Sequence, residues 1–199
     1  MSRPHGKFTP SQFSKAMTNG RGKDAGPGAT ALTLCRKIAM ERMGVEPLEL
    51  SLSALEWGNE WEPIARERYE KEKLIEVVPC FETIPHPEFG NVSGTPDGLV
   101  GIGGIIEIKC PHNPENHFAN LLEGAQLDVY KWQGQGYCWI TGRQWFEFVS
   151  FDPRFKEPFQ MKVIRVERDE EMIKQLSERI ALLEPIVESM LKEVGYEQS

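Results

Sequence analysis

The sequence predicts a mixed α/β fold in which a central mixed β-sheet is flanked by helices. Three observations predict it: helical apolar spacings at both ends of the chain, period-two apolar runs through its middle, and one helical stretch dividing those runs. At 199 residues, 40% hydrophobic and 27% charged, the chain suits a single domain with a substantial core. Within it, residues 1–45 form a basic helical part and residues 46–199 carry the core and a C-terminal helix.

The elements follow in order. In "TPSQ" Thr9 can cap a helix and Pro10 fits its first position, so a short helix is predicted over 9–18. The stretch "TNGRGKDAGPGAT" is a Gly-rich loop, followed by a helix over 29–43 on the spacing of Leu32, Leu34, Ile38 and Met43, with Gly44 as its stop. "SALE" reads as a capping box from Ser53 to Glu56, opening a helix to about Lys71 that Pro63 should kink. Then "LIEVVP", "FETI", "NVSGTPDGLVG" and "GGIIEIKC" read as strands, "AQLDVYKWQGQGYCWIT" as a helix over 123–141, and "QWFEFVSFD" and "QMKVIRVE" as two further strands. The last helix, 169–194, carries Ile173, Leu176, Ile180, Leu183, Val187, Met190 and Val194 on one stripe. Pro185 and the small number of repeats favour packing on the domain's own core over a coiled coil.

Bulk properties narrow the classes. The apolar runs are too short for a bilayer span and the N-terminus lacks a signal-peptide core, which predicts a soluble cytoplasmic protein with no membrane partner. Cys35, Cys80, Cys110 and Cys138 are scattered without a CxxC pair, against a zinc knuckle or a disulfide framework. The net charge of -7 is uneven, because residues 1–45 hold eight Lys/Arg against two acids. A basic segment on an acidic body permits a local anion-binding surface.

The stretch "SGTPDGLVGIGGIIEIKCP" raises the chemical question. Strand alternation sends Ile106 and Ile108 one way and Glu107 and Lys109 the other, and the "GIGG" turn can fold Asp97 back opposite Glu107. Burying a lysine beside a glutamate costs several kcal/mol per ion unless geometry compensates. Two readings stand on spacing alone, a structural ion pair or two carboxylates sharing Mg²⁺ or Mn²⁺ beside a catalytic lysine. The second is the Pro-Asp, spacer, Glu-x-Lys pattern of restriction-endonuclease-like nucleases.

Beyond this core, "ALEWGNEWEPIARERYE", "SGTPDGL", "EIKCP", "YKWQGQGYCWIT", "FDPR" and "VIRVERDEEM" occur in an order and at separations that resemble the lambda-exonuclease type of phage recombination nuclease. The resemblance implies a restriction-endonuclease-like core and a Mg²⁺-dependent enzyme that degrades one strand of linear duplex DNA from its 5′ end. It also implies a homotrimeric ring, a single-strand annealing protein as partner, and a phage or prophage origin. Carried over by position, Asp97, Glu107 and the carbonyl of Ile108 match the metal ligands, Lys109 the catalytic lysine, and Glu62 an additional acid. Glu60, two positions away, should face elsewhere. Ser11, Thr95 and Gln133 match a pocket for the 5′-phosphate, whose cation falls in direct register on Pro4, leaving Arg3 or Lys7; Arg3 is favoured for its two-point grip. Arg21 matches a basic residue near the DNA path.

Rival readings are an iron–sulfur exonuclease of the same core, for which the cysteine spacing is wrong, and a DNA-end-binding module with a silent site. The five tryptophans read as core or contact aromatics. His112 and His117 near Cys110 fit no common zinc spacing, and "HNPENHFANLLEGAQ" reads as a loop and short helix near the DNA entrance.

Overall fold

The computed structural model describes residues 5–22, 26–46, 52–122 and 127–196. Thirteen elements run α1 (Pro10–Ala16), α2 (Ala29–Arg42), α3 (Leu52–Lys73), β1 (Val77–Val78), β2 (Ile84–Pro85), β3 (Ser93–Gly94), β4 (Gly98–Val100), β5 (Gly104–Lys109), α4 (Pro114–Leu122), α5 (Leu127–Thr141), β6 (Trp145–Phe151), β7 (Met161–Glu167) and α6 (Glu170–Glu193). Among the described residues no helix is long and apolar enough to cross a membrane.

Local chemistry sets most boundaries. Thr9 precedes α1 in extended backbone, Pro10 occupies the first turn, and the Thr9 N–H donates to Gln12 Oε1 at 3.2 Å. Gly44, at φ +85, takes the left-handed conformation that ends α2. Asp169 caps α6 by accepting from the Met172 N–H at 3.0 Å. The predicted Ser53 cap is displaced, since α3 already begins at Leu52. Both α3 and α6 continue past their prolines, Pro63 and Pro185. The predicted start of α5 at Glu123 lies outside the described residues.

The sheet has the order β1-β4-β5-β6-β7, antiparallel except for the parallel β5–β6 pair, whose crossover carries α4 and α5. The stretch "NVSGTPDGLVG", expected as one strand, is split. Its first part, β3, pairs with β2 in a separate ribbon, while β4 joins the main sheet. Thr95-Pro96-Asp97 lies between them, and Pro96 has no N–H for a ladder.

Two layers cover the sheet. Ile106 and Ile108 pack with Ala65 and Tyr69 of α3, whereas Ile105 packs with Phe146, Phe148, Tyr137 and Cys138 on the α5 side. The third apolar cluster joins α1, α2 and α6 through Phe13, Leu34, Ile38, Leu176, Ile180, Leu183 and Val187. The α6 stripe ends on Leu191 instead of Val194, which is 65% exposed, as expected when a 3.6-residue period drifts against alternating steps of three and four.

The "QGQG" stretch of α5 serves close packing. A Cβ on Gly134 would stand 2.3 Å from the Phe146 ring of β6, and one on Gly136 would stand 2.4 Å from the Phe13 ring of α1. The two glycines therefore let α5 approach the sheet on one side and α1 on the other.

Candidate active site

The turn after β4, with Gly101 at φ +50, folds β5 back so that Gly98 pairs with Ile106. Extending that register by one residue puts Asp97 opposite Glu107, beyond the end of the ladder. There Asp97 Oδ2 accepts the Ile108 N–H at 2.6 Å. The Ile108 carbonyl lies on the same side of the strand as its N–H, toward the edge where Asp97 stands.

Glu107 is 1% exposed. Its Oε1 accepts from the Lys109 ammonium and from Gln133 Nε2, the latter at 2.7 Å, while its Oε2 is buried without a partner among the described residues. An orphaned carboxylate oxygen is costly. Two carboxylates, one adjoining carbonyl and an unfilled oxygen fit a hard divalent cation of the Mg²⁺ type, which keeps several waters and needs only one or two protein carboxylates. Among the described residues no group of three or more His, Cys, Asp or Glu side chains is placed to hold a metal ion by itself. His117 is instead a buried structural group, bonded to Ser150 Oγ and the Phe159 carbonyl at 2.8 Å each.

The electrostatics match this geometry. Burial, and then the charge of Asp97, pushes the Glu107 carboxyl up to about 8. Asp97 is also raised by burial, against the opposing pull of Lys109, the Ile108 N–H and Arg66. Burial disfavours the Lys109 ammonium, but Glu107 and Asp97 outweigh it and hold its pKa above the ordinary lysine value. Glu62, raised by burial and by Asp97, reaches the site from α3, with its Oε1 accepting from Arg66 Nη2 at 2.5 Å. Glu60 is exposed, as expected.

Two clefts, each of about 310 Å³, meet at Thr95. One is lined by Glu62, Arg66, Phe81 and Asp97. The other is lined by Ser11, Lys15, Lys37, Thr95 and Tyr137. Ser11 and Thr95 therefore come together, two residues from Asp97. Gln133 does not line the second cleft but joins it to the carboxylates, because its Nε2 also reaches Tyr137 Oη at 3.4 Å and that hydroxyl donates to the Thr95 carbonyl at 3.0 Å.

Arg21 is exposed and lines neither cleft, Lys7 is likewise absent from both linings, and Arg3 lies outside the described residues. The cations that do line the second cleft, Lys15 and Lys37, were missed from the sequence. Lys15 follows Ser11 by four residues on α1 and so shares its face, a spacing that could have revealed it.

Residues 2–144 match the YqaJ-like viral recombinase domain. The fold is similar to an alkaline exonuclease (LHK-Exo) from Laribacter hongkongensis, at 32% identity and a TM-score of 0.79 over 95% of this chain and 93% of that one. The same exonuclease solved in complex with dAMP matches at 34% identity, with a TM-score of 0.81 and the same coverages, 95% and 93%. A phage-related exonuclease from Haemophilus somnus 129PT shares the fold at 20% identity, with a TM-score of 0.79 over 96% of this chain and 97% of that one. No curated protein sequence matches the chain. The architecture is the restriction-endonuclease-like one. With the family domain matched over more than half its length and a solved relative above 30% identity along nearly all of it, the chain belongs to the YqaJ-like viral recombinase family, of the lambda-exonuclease type.

Proposed function

We propose that this site digests one strand of linear double-stranded DNA from a 5′-phosphorylated end in a Mg²⁺-dependent reaction. It releases 5′-mononucleotides and leaves 3′ single-stranded tails for a single-strand annealing protein. The chain is a DNA exonuclease, a phosphodiester hydrolase. The observation that carries the finer reading is the adjacency of two unlike clefts at Thr95, one lined by the carboxylates of Glu62 and Asp97 with Arg66, the other with hydroxyls and lysines. The relative that holds dAMP supports a mononucleotide-sized product. The homotrimeric ring rests on the family resemblance, and an acidic exterior of net charge -7 suits a ring whose lumen alone needs positive potential.

A divalent ion held by Asp97, Glu107 and the Ile108 carbonyl would supply Lewis acidity at the scissile phosphate. Lys109, kept as an ammonium, orients the attacking water and offsets charge developing on the phosphoryl oxygens. Glu62, its pKa raised by burial and by Asp97, would take the water's proton. The new bond joins the water oxygen to phosphorus, and the bond to the 3′ oxygen of the departing nucleotide breaks. The shortened strand then again begins with a 5′-phosphate, so the cleft with Ser11, Lys15 and Thr95 sets the register for each cycle.

Matched duplexes bearing 5′-phosphate or 5′-hydroxyl ends, with the label placed to report which strand shortens, test this directly. The phosphorylated end is expected to be preferred, and Lys15→Gln should lower that preference by about tenfold, the worth of one charge-assisted hydrogen bond. Equal wild-type rates on both ends would remove the phosphate cleft from the reaction, and loss from the 3′ end would reverse the polarity.

Metal binding has its own signature in stability. The folded state holds the Glu107 proton up to about 8, well above an unfolded glutamic acid, so between those values it binds more protons than the unfolded chain. Stability contributed by that proton is lost as pH rises through the window. From about pH 7 to 8.5, above the histidine range, the melting temperature of the metal-free protein is expected to fall. Saturating Mg²⁺ should remove the fall, since the cation takes the proton's place. Mg²⁺ protection that is independent of pH would contradict the assignment of Glu107 as a ligand.

A further inference from the structure

A second cation faces the carboxylates. Arg66 stands one turn after Glu62 on α3, and its Nη2 bond to Glu62 Oε1 uses one of the five N–H groups of a guanidinium. Among the described residues it makes no other hydrogen bond, and its Nε is buried without a partner. The side chain is only 17% exposed, yet it lines the cleft with Glu62, Thr95 and Asp97. A buried guanidinium with unpaired donors is destabilising until something accepts them. Among the described residues the other side chains that line the cleft, Asn59, Thr95 and Asp97 included, accept no hydrogen bond from it.

An acceptor that matches the guanidinium fork is an anion with two oxygens at its spacing, which describes the non-bridging oxygens of a phosphodiester. Arg66 and Lys109 both act on Asp97 electrostatically, so a phosphate at that carboxylate lies within the field of both cations. We infer that Arg66 is a further catalytic residue, whose guanidinium binds a non-bridging oxygen of the scissile phosphodiester and offsets the charge that builds there as water closes on phosphorus. The inference rests on the reaction being placed at Asp97 and Glu62. A structural role, holding Glu62 through their shared bond, makes a different prediction.

The test uses Mg²⁺ and a 5′-phosphorylated duplex whose first linkage is either a phosphodiester or one stereoisomer of a phosphorothioate. Arg66→Lys keeps the charge and the one-turn pairing with Glu62 but loses the fork. It is expected to lower kcat about 100-fold, with KM nearly unchanged, and to shrink the rate penalty that sulfur imposes on the wild type in one of the two stereoisomers. Arg66→Gln combined with Glu62→Gln is expected to be slower than either single variant. A sulfur penalty unchanged by Arg66→Lys, or a double variant no slower than Glu62→Gln alone, reduces Arg66 to positioning Glu62 and overturns the inference. Where Arg66→Gln lowers thermal stability enough to unfold the protein, Arg66→Lys carries the decision. A wild type that releases no nucleotide from either substrate overturns the placement of the reaction and the inference together.

Discussion

Lys109→Ala is expected to lower kcat on linear duplex by about 10²- to 10⁴-fold, the range for removing a positioned proton-transfer or charge-stabilising group. The same variant should bind a 5′-phosphorylated end in the absence of metal as the wild type does. The separation follows from placement. Lys109 ends β5 with its ammonium on Glu107 and over the Tyr130 ring, 5.2 Å from the centroid, whereas Ser11, Lys15, Lys37 and Thr95 of the neighbouring cleft belong to α1, α2 and the segment before Asp97. Folding should survive, because the side chain is 30% exposed at the strand's end and Glu107 keeps its bond from Gln133. Losing the ammonium strips Asp97 and Glu107 of the cation that most opposes their protonation, so both hold protons to higher pH. The residual activity should therefore rise with pH over a more alkaline range than in the wild type. Equal nucleotide release by variant and wild type would remove Lys109 from the chemistry and favour a site that only binds ends.

How much of this was legible depended on whether a signal was local. Asp97, Glu107 and Lys109 were readable because two periodicities cooperate: strand alternation puts Glu107 and Lys109 on one face, and a Gly-rich turn fixes the register that sets Asp97 opposite Glu107. Glu62 came only from resemblance, since no local pattern says which acid of a charged helix turns toward a sheet. The division of residues 91–101 between two sheets was missed because "NVSGTPDGLVG" reads as one strand until Pro96 is recognised as a break in pairing. Lys15, Lys37 and Arg66 were missed for another reason. Charges on helices usually mean solvated faces, and only the packing of α1 against α5, and of α3 against the sheet, reveals which of them line a cleft. The "QGQG" stretch was read only as helix, and the cause of its glycines, two rings approaching from opposite sides, lies in residues distant in sequence.

That approach makes Gly134→Val a strongly destabilising substitution. Phe146 is fully buried in β6, and the first added carbon would lie 2.3 Å from its ring, a distance no real Cβ contact tolerates. Relief requires moving either a ring packed on all sides or the whole of α5. Overpacking of this kind costs about 1–3 kcal/mol, and the two branch methyls of valine add atoms in the same gap. Replacing a helical glycine recovers less than about 1 kcal/mol of backbone entropy, so the net change is a loss of about 2 kcal/mol or more. For a chain of this size that lowers the melting temperature by about 4–8 °C. Activity should fall with it, because α5 carries Gln133 to Glu107 and Tyr130 to Lys109, and a displaced helix withdraws both. Gly58 is the comparison: it also sits inside a helix, but nothing lies within 4 Å of its added Cβ. Gly58→Ala should be neutral or more stable by up to about 1 kcal/mol. Thermal unfolding of both variants without metal separates the explanations, since a general intolerance of helix glycines to substitution would destabilise both. If Gly134→Val melts with the wild type, α5 does not press on β6 at this point, and the route by which the sheet holds Gln133 against the buried carboxylate must run through other contacts.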